Sequence, residues 1–217
     1  MSRAEIVVSY IRSLTDWQLR TADQPYGHMG ATLSDAVLQS GIDYDTVVLP
    51  RINRLLEQYP EATTTTVFSK VLEQEGAPSV LRWDGQKKIK TLKSLISLLM
   101  DEGVETEDQL RVWLESPQNR GRLQGIDGIG DKTTDYLQIL AGSQAIAIDR
   151  HLQGFLANAG VPCPTYDEAR QALEETATLI GVAPSDLDYS IWQYMSTQSQ
   201  RPPSRCARRK SSGTAFM

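Results

Sequence analysis

The chain has 217 residues, 40% of them hydrophobic, and a formal net charge of −5, enough length to bury a core without staples as one large domain or two small ones. Its two cysteines, Cys163 and Cys206, stand far apart in no ligand spacing, which argues against a disulfide framework, a zinc finger or a four-cysteine iron–sulfur cluster and fits a reducing cytoplasm. No apolar run approaches the roughly 18 residues of a membrane span, and the N-terminus lacks the charged, apolar and small-residue order of a signal peptide.

Helix signals dominate from the start. Ser2 and Glu5 have capping-box spacing, and Ile6, Val7, Tyr10, Ile11 and Leu14 form an apolar stripe. Residues 21–30 read as a loop. A second helix is expected from near Thr32 to Gly41, and a third from about Asp45 to Tyr59, with Pro50 either kinking it or marking a delayed start. The threonine run 63–66 leads into a short helix that ends at Gly76, and Pro78 suits the first turn of another. Gly85 to Glu102 is strongly helical, with Lys87, Lys88, Lys90 and Lys93 near its start; they read as a solvated face or as phosphate contacts. Thr106 to Glu115 follows, then a short helix opened by Ser116-Pro117, and a helix from Asp131 to Leu140. Ala145 to Ile148 has no partner strand in view and reads as a buried connector. Asp149 to Ala159, Thr165 to Ile180 and Pro184 to about Ser196 complete the pattern. With no sustained period-two alternation the expected fold class is all-α, with roughly ten helices. Trp17, Trp83, Trp113 and Trp192 fall on helical patterns and read as core.

The tail from Gln198 is basic, rich in Pro and Ser, and has little to bury, so it reads as disordered. From Thr197 onward there are five basic residues and no acidic one, which leaves the body before it at −10. A general nucleic-acid binder shows a basic footprint, so any nucleic-acid reading has to rest on a local site.

Such a site is offered by Gly125-Ile126-Asp127-Gly128-Ile129-Gly130-Asp131-Lys132-Thr133. The glycines leave no side chain between backbone and ligand. The unpaired N–H groups that open the next helix make a phosphate seat, helped by the helix dipole. A plain helix–helix turn is the competing reading of Gly-x-Gly alone. Seventeen residues after Lys132 comes Asp149, in Ile148-Asp149-Arg150-His151; a helix N-cap is its alternative role, and it can serve as both.

The segment from Leu123 to Thr133 resembles a helix–hairpin–helix motif. Hairpin, lysine, connector and aspartate in that order resemble the helix–hairpin–helix (HhH-GPD) DNA glycosylase superfamily, in its endonuclease III-like branch. The likeness is densest over about 120–156, thinner over 31–104 and negligible after 160. It implies a two-lobed helical fold: residues 27–143 as the lobe ending in the hairpin, residues 1–26 packing with a second lobe of 144–197, and 198–217 as the tail. It implies Lys132 and Asp149 as catalytic residues, and Ile126, Gly128, Gly130 and Thr133 as contacts to double-stranded DNA carrying a damaged or modified base. For the base wedge or pocket it points to Gln39, Ile42, Tyr26 and His28, while an ordinary loop role for His28 remains open. Lacking the family's four cysteines, the chain is expected to hold no iron–sulfur cluster, metal or other cofactor, and to act as a cytoplasmic, nucleoid-associated monomer. The implied activity is base excision, with a lyase step through Lys132 left open. A noncatalytic DNA-binding module on the same scaffold is the alternative; a relative of this fold acting on modified bases in another way is a third reading. Asp127 and Asp131 depart from the pattern, since they repel phosphate unless turned away or used as caps.

Overall fold

Local signals set most of the helix ends. In the computed structural model, which describes residues 1–163 and 165–200, Ser2 and Glu5 form the expected capping box on α1 (Arg3–Ser13). The same reciprocal bonds open α7 (Glu107–Trp113) at Thr106 and α11 (Tyr166–Ile180) at Thr165. Between these lie α2 (Met29–Leu38), α3 (Leu49–Gln58), α4 (Thr65–Glu75), α5 (Ala77–Leu81), α6 (Gln86–Asp101), α8 (Pro117–Gln124), α9 (Asp131–Leu140) and α10 (Arg150–Asn158), and α12 (Pro184–Gln200) is the last described. The fold is all-α, with no strand among the described residues. The connector 145–148 is buried and irregular, as its sequence suggested.

Three boundaries differ from expectation. α2 begins at Met29, three residues early, because His28 caps it: Nδ1 accepts the Ala31 N–H at 3.0 Å. Pro50 marks a delayed start and sits in the first turn of α3, preceded by one π-type turn over Tyr44–Val48 that Asp43 caps. α12 runs on to Gln200, past the predicted end. Residues 201–217, which hold most of the basic tail, lie outside the described residues, so the expectation of disorder there has no structural counterpart.

Two hydrophobic clusters result. The first gathers α2 to α9 around α2, every residue of which is buried; α2 packs on α3, α4, α6 and α9. The second joins α1, the connector and α10 to α12, with α1 on α11 and α10 on α12. Tyr166 ties one to the other. Its hydroxyl donates to Asp135 of α9 at 2.8 Å and accepts the Ile148 N–H at 3.2 Å. Asp135 also takes the Arg120 guanidinium at 2.5 Å, so this buried charge is paired. The tryptophans lie at the margin of the core: all four are half-buried against one cluster or the other, and Trp17 and Trp83 lie outside helices. Arg51 and Lys88 sit over the Trp83 ring.

Candidate active site

The hairpin is built from apolar anchors and one forced glycine. Leu123 and Ile129 are buried and Ile126 is half-buried against the first cluster. Gly128 has φ +93°, a left-handed value that favours glycine. Behind it Thr91 of α6 donates through its hydroxyl to the Asp127 carbonyl at 2.7 Å, which pins the hairpin to α6. A Cβ on Gly128 would lie 2.7 Å from that hydroxyl oxygen. Gly130, the N-cap of α9, has ordinary extended backbone and nothing within 4 Å of a Cβ position.

The first amide of α9 bonded inside its helix is that of Thr134, to the Gly130 carbonyl at 3.0 Å. The amides of Asp131, Lys132 and Thr133 have no partner among the described residues, the condition that an anion seat requires. The two acids beside it are engaged laterally: Asp131 accepts from Gln124 at 2.9 Å, and Asp127 lies 3.9 Å from the Lys87 ammonium. At Thr133 a contact through the side chain is ruled out. Its side chain is buried, so its amide alone is available.

The second residue of α9, Lys132, reaches into the space between the two clusters. Its ammonium donates to Gln39 Oε1 at 2.6 Å and lies 5.2 Å from the centre of the Tyr136 ring. The cavity there, of about 130 Å³, has an aromatic wall of Tyr26, Tyr44, Tyr136, Tyr189 and Trp192. Lys132, Asp149 and Asp188 line it too. An adjoining hollow of about 370 Å³ shares Lys132, Asp149 and Trp192 and adds Ile42 and His151. Thus Lys132 and Asp149, seventeen positions apart, border one space. No ion pair within 4.0 Å joins them among the described residues.

Asp149 is also the N-cap of α10, where Oδ1 accepts the His151 and Leu152 amides at 2.8 and 3.0 Å. The positive end of that helix complements a carboxylate. Burial holds the Lys132 ammonium below its ordinary pKa, opposed by Asp149, Asp188 and Asp35. Burial likewise pushes Asp188 up to about 7, with the Ala147 amide opposing and Asp149 adding to the rise. Beneath the aromatic wall Asp35 is pushed up to about 6, again by burial, and the hydroxyls of Tyr26 and Tyr44 oppose the shift by donating to it at 2.8 and 3.3 Å.

The remaining expected residues fall in different places. Tyr26 presents its ring to the cavity and Ile42 borders the hollow. Gln39 is turned inward onto Lys132, not outward as a wedge, because the buried ammonium needs an acceptor. His28 is not at the cavity at all. It is 4% exposed, caps α2 and contacts the Tyr59 carbonyl through Nε2 at 2.7 Å. Lys88 is not a free surface lysine either: it donates to the Leu38 and Ser40 carbonyls, capping the C-terminal end of α2.

Sequence reading missed Asp35, Asp188 and Trp192. An acid inside Leu33-Ser34-Asp35-Ala36-Val37 is a readable anomaly. Asp188 and Trp192 share a helix face at i, i+4 spacing, but nothing local marks that face as a cavity wall. Among the described residues no group of three or more His, Cys, Asp or Glu is placed to hold a metal ion, and no described helix is long and apolar enough to cross a membrane.

A family profile described as a domain of unknown function (DUF8548) matches residues 5–196. No curated protein matches the chain. Among solved structures, H. pylori 3-methyladenine DNA glycosylase (MagIII) bound to 1,N6-ethenoadenine superposes with a TM-score of 0.53 at 17% identity, covering 93% of this chain and 100% of that one. At that identity the likeness is one of fold.

Proposed function

The chain belongs to the DUF8548 family, a domain of unknown function, and from that premise we propose that it is a DNA repair glycosylase that cleaves the N-glycosidic bond of a damaged or modified base. The observation that carries this reading is a single one: Lys132, the second residue of the helix that opens with unpaired amides, and Asp149 border the same aromatic-walled cavity. The fold shared with a DNA glycosylase supports it.

In this reading the hairpin amides grip the DNA backbone without reading sequence. The target base leaves the stack and enters between the aromatic rings. As the glycosidic bond breaks, the sugar gains positive charge, which the Asp149 carboxylate stabilises. Lys132 then has two roles open to it. As a free amine it attacks C1′ and forms a Schiff base, and elimination cuts the strand. As an ammonium it leaves Asp149 to activate water. Its burial favours the amine, because an ordinary lysine near pH 7 is neutral in only about one molecule in a few thousand.

The test is borohydride trapping on duplexes carrying assorted lesions, beginning with 3-methyladenine and 1,N6-ethenoadenine. A covalent adduct lost in Lys132→Ala supports the lyase route. Base release without an adduct supports the one-step route. Intact DNA binding with no release across the panel refutes the enzyme and favours a noncatalytic DNA-binding module.

A further inference from the structure

Asp188 has no part in the scheme above, yet it lines the cavity beside Lys132 and Asp149. Its Oδ2 accepts the Ala147 N–H at 2.8 Å, which ties it to the connector that ends at Asp149. Its Oδ1 has no hydrogen-bond partner among the described residues, and the residue, which lines the cavity, is half-buried. The two carboxylates therefore share a wall in unequal settings. Asp149 is held by two amides at the positive end of α10. Asp188 has one amide and is withdrawn from water beside a like charge. When two acids in one site are treated this differently, their roles divide.

On the glycosylase reading, we infer that Asp188 is the general acid of the site, passing its proton through Oδ1 to a ring nitrogen or carbonyl oxygen of the extruded base as the glycosidic bond breaks. The bonding pair goes to the base nitrogen and the Asp188 O–H bond breaks to supply the base's proton. C1′ takes the oxygen of water or the nitrogen of Lys132, and the proton released there goes to Asp149. Asp188 is left as a carboxylate and regains its proton from solvent, so the step is a balanced displacement with no change of oxidation state. Burial supports the assignment by keeping the carboxyl protonated up to about pH 7. The groups that bear on its titration are Asp149, Lys132, Asp135 and the Tyr136 phenol.

This role carries a substrate class. A neutral base leaves poorly as an anion and needs the proton. An N-alkylated base that is already a cation in DNA leaves as a neutral molecule and does not. The site is thereby suited to neutral lesions with an acceptor atom facing α12.

The experiment uses the full chain and Asp188→Asn, since asparagine still accepts the Ala147 amide and so keeps the connector in place. Single-turnover release is measured for 1,N6-ethenoadenine, a neutral base, and for 7-methylguanine, a cationic one. General acid catalysis contributes about 10²- to 10⁴-fold, so the ratio of neutral to cationic release rates is expected to fall about 100-fold or more in the variant. The alkaline fall in the wild-type rate for the neutral base, centred near pH 7, is expected to vanish with it. An unchanged ratio, whether both rates fall together or neither moves, makes Asp188 structural and overturns the inference. Wild-type protein that releases only the cationic base overturns it while the glycosylase reading stands. Wild-type protein that releases neither of these, nor any base of the wider lesion panel, overturns both.

Discussion

Gly128 and Gly130 are two positions apart and face opposite demands. At Gly128 a methyl group meets a positive φ and the Thr91 hydroxyl together. A left-handed backbone costs an L-residue about 1–2 kcal/mol. Displacing Thr91 from the Asp127 carbonyl forfeits about 1 kcal/mol more. Gly128→Ala is therefore expected to destabilise by about 2–3 kcal/mol, which for a chain of this size lowers the melting temperature by about 5–10 °C. Gly130→Ala has no such burden: its φ is −115° and the Cβ position is empty. A poorer N-cap and a less flexible unfolded chain offset each other, leaving stability within about 0.5 kcal/mol of wild type. Its methyl group instead stands beside the open amides of Asp131, Lys132 and Thr133. The expected result is a near-normal melt with DNA binding weakened by about tenfold or more, the equivalent of one lost charge-assisted contact. Calorimetry and fluorescence anisotropy on an abasic-site duplex at fixed salt separate the two effects. If Gly130→Ala melts as early as Gly128→Ala, the contrast in backbone strain is refuted; if it binds DNA as wild type does, the amide seat is not where DNA is held.

Asp149→Asn keeps an equally good N-cap, so it should melt with wild type while single-turnover base release falls about 10²- to 10³-fold; unaltered release removes Asp149 from the chemistry. His28→Ala loses the cap to Ala31 and strands the Tyr59 carbonyl, a loss of about 2–4 kcal/mol in urea unfolding, and a change under about 1 kcal/mol contradicts the capping role. Asp188 binds its proton more tightly folded than unfolded, its pKa rising from an ordinary 3.8 to about 7. Its contribution to stability is full below pH 4 and is lost as pH rises to 7. Urea unfolding from pH 4 to 8 should accordingly show Asp188→Asn gaining on wild type as pH rises, and a gap that ignores pH argues against the burial.

What the sequence disclosed is what local physics encodes. The capping boxes at Ser2, Thr106 and Thr165 are four-residue signals, and each opens its helix where the spacing says. The delayed start at Pro50 and the left-handed glycines at 76, 103 and 128 are equally local. His28 escaped because histidine is an uncommon cap and its preceding loop extends the non-helical pattern. Gln39 escaped for another reason: its direction is set by an ammonium 93 positions away, whereas the loop around it reads as exposed. Asp188, Trp192 and Tyr44 reach the cavity only because α12 and the turn before α3 come to the same side of α9. The order hairpin, lysine, connector, aspartate suggested a pair, but their shared cavity is a property of the packed clusters.

Lys132 and Asp188 also control each other. Ammonium with carboxylate and amine with carboxylic acid have the same net charge, so the environment alone decides which of the two groups holds the proton. In water it rests on the amine, with reference values of 10.5 and 3.8. Burial penalises both charged forms and moves the two groups toward each other. The favoured direction supplies a lone pair on nitrogen and a proton for the leaving base. Gln39 and the Tyr136 ring pull the other way by holding the ammonium. Asp188→Asn removes one of the anions that support the ammonium, so the lysine must titrate lower. Borohydride trapping on an abasic-site duplex, where no base has to be protonated, should then reach half its maximum at a lower pH in Asp188→Asn than in wild type. A midpoint that stays put or rises means that the lysine does not sense Asp188, and that the cavity holds two independent groups.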